Sequence, residues 1–147
     1  MLGQLVTSFF ATAGIGIIFN IPRQALINCG IVGMAGWLIY VVLYENHFDT
    51  VLATLISAFF IAILSQFFAR KYKMPVIIFS VAGMIPLVPG GMAYYAMRKF
   101  VENDYNAALN SAAKAFMLSG AIAVGIILSE VLNQIIKKIG QPRYVKE

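Results

Sequence analysis

Charge is what this sequence has least of. Only 12% of its 147 residues are Asp, Glu, Lys or Arg, and 61% are hydrophobic. A soluble globular domain carries about 25% charged residues. Cysteine is almost missing. Cys29 stands alone in an apolar run, which excludes an intrachain disulfide, and His47 is the single histidine. A Cys/His metal cluster has no residues to build it. A phosphate-cradling glycine loop ending in Lys-Ser or Lys-Thr is absent, which argues against ATP hydrolysis by the chain. Ser80 and Ser129 have no base at a partner spacing, so nucleophilic catalysis is argued against as well. An enzyme is not expected, and no cofactor is implied. The net charge is +5, but its Lys and Arg residues fall in short loops and at the C-terminus. That is where membrane topology places them, and nucleic-acid binding is not the reading they support.

What the chain does have is long hydrophobic runs, with mean hydropathy +0.83. Leu2–Phe19, Gln24–Tyr44, Thr50–Ala69 and Ala115–Ile136 each approach the roughly 20 apolar residues that cross a bilayer. Met74–Phe100 is a fifth, interrupted run. Between them lie Asn20-Ile21-Pro22-Arg23, Glu45-Asn46-His47-Phe48-Asp49 and Arg70-Lys71-Tyr72-Lys73. The alanine-rich segment Glu102–Lys114 extends the last helix, with Asn103 or Asp104 as its N-cap. The expected fold is an all-α integral membrane protein of one domain, residues 1–147. Its spans are near 2–19, 24–44, 50–69, 74–100 and 104–138, the fourth broken at Pro86-Leu87-Val88-Pro89-Gly90. Ala11-Thr12-Ala13 resembles a signal cleavage site, but no basic residue precedes that run, so it is expected to stay as the first span.

Positive charge favours the cytoplasmic side. With five spans and the N-terminus outside, the inner ends carry Arg23, Arg70, Lys71, Lys73, Lys137, Lys138, Arg143 and Lys146. The outer ends keep Arg98, Lys99 and Lys114. A re-entrant hairpin at Met74–Phe100 would move Arg98, Lys99 and Lys114 inside and the C-terminal charges outside. Five spans, with the C-terminus inside, give the stronger bias.

Two prolines and two glycines within Pro86–Gly91 cannot continue an α-helix. Non-helical backbone at membrane depth must be buried in protein or line a wet cavity, and interrupted helices are where secondary transporters hold substrates. A first helix ending near Ile85 would leave carbonyls unpaired. A second, with Pro89 at its first position, would present the N–H groups of Gly90, Gly91 and Met92. Such a pairing suits an α-amino acid or a small dicarboxylate. Pro86, Pro89, Gly90, Gly91 and Met92 are therefore expected substrate contacts, together with Asn28.

Small and polar residues recur at helical spacing along each run: Gln4, Ser8, Thr12, Gly16 and Asn20; Gln24, Asn28, Cys29, Gly33 and Gly36; Thr54, Ser57, Ala58, Ala62 and Ser65; Ser119, Ala123, Glu130, Asn133 and Gln134. Most fit tight helix–helix packing, within the chain or against another subunit, a second copy included. Glu130 is the acidic residue well inside a span. Intramembrane carboxylates cost several kcal/mol, which makes Glu130 a candidate for proton or substrate coupling. Its structural alternative is an ion pair with Arg23 or Lys137.

Phe19-Asn20-Ile21-Pro22-Arg23 after a first span, a glycine-rich second span, and Ile85-Pro86-Leu87-Val88-Pro89-Gly90 after a basic loop resemble the threonine/serine exporter (ThrE) family. The length resembles the small subunit of its split form, the YjjB type. The matched motif positions are Asn20, Pro22, Pro86, Pro89 and Gly90. The resemblance implies a bacterial inner-membrane exporter of small hydrophilic metabolites, with threonine/serine-type amino acids or succinate-like dicarboxylates as cargo. It implies a larger YjjP-type membrane subunit as partner. Fused members are similar to two such halves in one chain, about ten spans in all, and two five-span halves would insert in opposite orientations. A non-transporting assembly subunit is the competing function.

Cysteines placed at Lys99 and Lys146 are expected to react with impermeant reagents from opposite sides of the membrane. Labelling of both from one side would contradict five crossings.

Overall fold

The computed structural model describes residues 2–140. Arg143 and Lys146, counted in the charge balance, lie outside the described residues. All regular structure among the described residues is helical: α1 (Leu2–Ile18), α2 (Arg23–Glu45), α3 (Thr50–Tyr72), α4 (Val76–Met84), a 3-10 turn (Ile85–Leu87), α5 (Gly90–Val101) and α6 (Tyr105–Gly140). Helices α2, α3 and α6 are long and apolar enough to cross a membrane. Val76–Leu87 and Gly90–Val101 together make a fourth such element, bent by 51°, and α1 is a shorter apolar helix.

Each tight link between helices has a residue that can turn the chain. Asn20, His47, Lys73 and Asn103 all have positive φ, between 52° and 63°. Asparagine tolerates this left-handed conformation better than most residues, which accounts for Asn20 in the Asn20-Ile21-Pro22 motif. Pro22 then precedes the first turn of α2, its carbonyl accepting the Ala25 N–H at 2.8 Å. Two carboxylates cap helices. Asp49 accepts the Val51 N–H at the start of α3, and Asp104 accepts the Ala107 N–H at the start of α6. Of the two caps expected for α6, Asp104 fills the position. Helix α3 runs on through Arg70, Lys71 and Tyr72, which the sequence had placed in a loop, and ends at Lys73.

Helix order follows from which residues touch. Gly16 meets Leu26 while Gly33 meets Thr12, so α1 and α2 are antiparallel. Cys29 lies against Ile78, and Val32 against Gly83, so α2 and α4 are parallel. Gly125 sits on Leu55 and Ala58, Ser129 on Gln66, and Asn133 on Arg70, so α3 and α6 are parallel. Two consecutive long helices that run parallel require the chain between them to return across the bundle. Met74–Phe100 is therefore a net crossing and not a hairpin. One end of the bundle collects Arg23, Arg70, Lys71, Lys73, Lys137 and Lys138 and is termed the basic end. The opposite end holds the Glu45–Asp49 link and Lys114.

Backbones approach closely through glycine. A methyl group at Gly30 would strike Phe9, one at Gly33 Thr12, and one at Gly36 Ile61. At Gly125 it would meet the Leu55 carbonyl oxygen at 2.8 Å and the Phe59 nitrogen at 3.0 Å. In hydrocarbon, packing and interhelical hydrogen bonds hold helices together, because burying apolar surface away from lipid gains little. Two apolar clusters fill the bundle. Val32, Ala58, Ile61, Met84 and Leu87 lie beside the break, and Ala25, Cys29, Ala69, Phe79 and Ala82 lie toward the basic end.

Helix α6 is the longest, with 36 residues, about 54 Å at 1.5 Å per residue. Its first turns rise beyond the start of α3 and pair with α5. Ala96 is the buried residue of α5, while Tyr94, Tyr95, Met97 and Phe100 are exposed. Gly125→Ala should destabilise the chain by roughly 1–3 kcal/mol, because the obstructing atoms are backbone and cannot rotate away. Gly120→Ala, with nothing within 4 Å, should stabilise α6 by up to about 1 kcal/mol. Thermal unfolding of both variants in detergent checks the contrast.

Candidate functional site

The break is built by its prolines. Pro86 has no N–H to give the carbonyl four residues back, so the helix tightens, and Ile85 donates to the Ala82 carbonyl three residues back. The Val88 N–H closes the turn on the Ile85 carbonyl at 3.2 Å. Val88 then takes extended geometry (φ −63°, ψ 127°), as the residue before a proline should. Pro89 is the N-cap of α5 and not its first residue, with φ −77° and ψ 44°. The Gly90 N–H folds back onto the Val88 carbonyl at 2.8 Å.

These bonds correct the sequence expectation in two places. The N–H of Gly90 is occupied, which leaves those of Gly91 and Met92 without an acceptor among the described residues. The carbonyl of Ile85, at the end of the first helix and expected to be unpaired, already accepts the Val88 N–H. The carbonyls of Pro86 and Leu87 accept no hydrogen bond among the described residues, so the break keeps neutral acceptors beside its donors.

A cavity of about 230 Å³ opens beside it, lined by Pro86, Pro89, Gly91 and Met92 and closed by Trp37 and Tyr40 of α2, Thr54 of α3 and Leu118 of α6. The Trp37 and Tyr40 rings lie 5.3 Å apart. The indole N–H of Trp37 is buried and has no partner. The Thr54 hydroxyl is committed to the Thr50 carbonyl at 2.8 Å. A methyl group at Gly90 or Gly91 would meet nothing within 4 Å. Neither glycine is required by packing inside the chain, in contrast to Gly30, Gly33, Gly36 and Gly125. Unpaired N–H groups at the start of α5, beside an apolar, aromatic pocket, suit a carboxylate, since helix N-termini donate to anions. The break is level with Thr54, one turn from the start of α3. It therefore sits toward the end opposite the basic one and not at mid-bundle, because the nine residues of α4 and the 3-10 turn already cover most of the crossing.

Asn28 does not join this site. It is buried in the second turn of α2, donates to the Gln24 carbonyl at 3.2 Å, and lies nine residues before Trp37, about 14 Å along the helix axis. Glu130 is also remote. It sits on α6 toward the basic end, exposed, and accepts from the amides of Gln66 and Gln134 at 3.4 Å each. Arg23 and Lys137 do not pair with it. Around it runs a polar seam between α3 and α6. Gln66 donates to the Ser129 hydroxyl at 3.1 Å and Arg70 donates to Asn133, with Gln66, Ser129 and Asn133 buried. The sequence reading missed Gln66, Arg70 and Trp37. The four-residue spacing of Gln66 and Arg70, against Ser129 and Asn133, was the available signal for the seam.

Among known proteins, the profile of a family described as "Threonine/Serine exporter, ThrE" matches residues 4–132. An uncharacterized protein of Haemophilus influenzae is 29% identical over 143 residues, covering 90% of this chain and 48% of the relative. The chain thus spans about half the length of that curated relative. No solved structure matches.

Gln66→Leu removes the donor shared by Ser129 and Glu130 and should lower stability by about 1–2 kcal/mol, the worth of interhelical hydrogen bonds in model membrane helices. Glu130→Gln should leave the unfolding temperature within about a degree, since its contacts are long and exposed. Thermal unfolding in detergent distinguishes the two.

Proposed function

The chain belongs to the threonine/serine exporter family, a family of membrane transporters and not of enzymes, and on that premise we propose that it is one half of a secondary exporter. It is a multi-pass membrane protein. In this reading it lies in a bacterial inner membrane, a single transmembrane domain with the basic end inside and the α5–α6 hairpin outside, as the distribution of Lys and Arg favours. A larger YjjP-type subunit completes the pathway. A relative about twice as long supports a second half, and an odd number of crossings suits two halves inserted in opposite orientations.

The observation that carries the reading is the cavity at the break. Two of its lining residues, Gly91 and Met92, have N–H groups with no acceptor among the described residues, and the rings of Trp37 and Tyr40 form an aromatic wall beside them. The cargo is accordingly a small metabolite with a carboxylate: a threonine/serine-type amino acid or a succinate-like dicarboxylate. The carboxylate exchanges its water for these donors, while the apolar walls hold the rest. Glu130, exposed near the basic end and remote from the cavity, is kept as the candidate for coupling a proton to this movement. Glu130→Gln transport with unchanged pH dependence would remove it from that role.

A structural subunit that only assembles the complex is the competing reading. Gly91→Trp decides between them, because a Cβ at Gly91 meets nothing within 4 Å and the indole is then carried into the cavity that Gly91 lines. Efflux of preloaded serine, threonine or succinate should fall by roughly tenfold or more, with co-purification of the larger subunit intact. Normal efflux, or loss of the complex itself, contradicts the proposal. Transport by the purified chain alone would contradict the need for a partner.

A further inference from the structure

A second cavity, of about 310 Å³, lies beside the first and shares Met92 and Leu118 in its walls. It is placed at the end of the bundle opposite the basic one, between the start of α3 and the point where α6 leaves the hairpin. Its charged lining residues are Asp49 and Lys114. They face one cavity without pairing: the salt bridges among the described residues are those of Arg98 and Lys99 with Glu102. One oxygen of Asp49 is fixed by the Val51 N–H at 3.2 Å, and the other has no partner among the described residues. The Lys114 ammonium likewise makes no hydrogen bond there.

An acceptor and a cation held on separate walls of one small cavity match a molecule that carries both opposite charges. We infer that Asp49 and Lys114 form a recognition vestibule for a small zwitterion, with Lys114 taking its carboxylate and Asp49 its ammonium. This rests on the reading of the break cavity as the transport site, and it supplies a carboxylate, which the lining of that cavity does not contain. The two cavities adjoin through Met92 and Leu118, so a zwitterion held between Asp49 and Lys114 stands next to the break cavity. A dicarboxylate would meet Lys114 equally well, but its second carboxylate would face Asp49 at a like charge. Asp49 is thus the residue that selects zwitterions over dianions.

Asparagine caps helices as well as aspartate does, so Asp49→Asn removes the charge and keeps the start of α3. In intact cells expressing the full complex and preloaded with L-serine or succinate, Asp49→Asn should lower serine efflux about tenfold and leave succinate efflux unchanged or raised. Lys114→Met should lower efflux of both, and Lys114→Arg should restore it. Membrane levels of each variant are measured alongside. Parental serine efflux by Asp49→Asn or Lys114→Met, with Gly91→Trp inactive, overturns the vestibule and leaves the break cavity standing. An equal loss of both solutes in Asp49→Asn also overturns it. Unimpaired Gly91→Trp, or a parent chain that exports neither solute, removes both.

Discussion

A proline inside a membrane helix withholds a donor from the ladder, and lipid offers the stranded groups nothing in exchange. Much of this bundle answers that constraint. The 3-10 turn at Ile85–Leu87 and the backward bonds of Val88 and Gly90 satisfy part of the broken backbone locally. The rest lies beside a partly open cavity walled by Trp37, Tyr40, Thr54 and Leu118. A break that satisfied every group would be a kink. This one leaves the N–H groups of Gly91 and Met92 unpaired in residues that line a cavity, and the difference is what makes it a candidate site.

Enclosure depends in turn on how closely the helices approach. The glycines of α2 admit Phe9, Thr12 and Ile61 to the backbone, and Gly125 brings α6 onto α3. The polar seam of Gln66, Arg70, Ser129 and Asn133 fixes the same pair of helices nearer the basic end. With α3 and α6 locked at two heights, Leu118 is carried to the break and Lys114 to the start of α3. The positions of site residues on α6 are therefore consequences of contacts several turns away.

Much of the fold was legible because its causes are local. Hydrophobic run length gave the helices to within a few residues, Asp104 capped where a cap was expected, and the Pro86–Gly90 interruption broke the chain where prolines must. The α3 stripe of Thr54, Ser57, Ala58, Ala62 and Ser65 is buried throughout. On α6 the stripe is not met within the chain: Ser119, Ala123, Glu130 and Gln134 are exposed, and only Asn133 of that set is buried. Spacing shows which residues share a face but not which neighbour that face meets. Nor does it show height. Asn28 and the break looked compatible until α2 and α4 were seen to run parallel, which sets them several turns apart. Trp37 was missed because an aromatic residue in an apolar run looks like any lipid anchor until its nitrogen proves to be buried and unpaired.

Helix α6 contains no proline from Tyr105 to Gly140, and it is pinned to α3 at two heights, at Gly125 and at the polar seam. About 30 Å of helix runs from Gly125 to Tyr105. A rod held at two points keeps its direction, so contacts near the basic end aim the long arm that carries Lys114 over the opposite end.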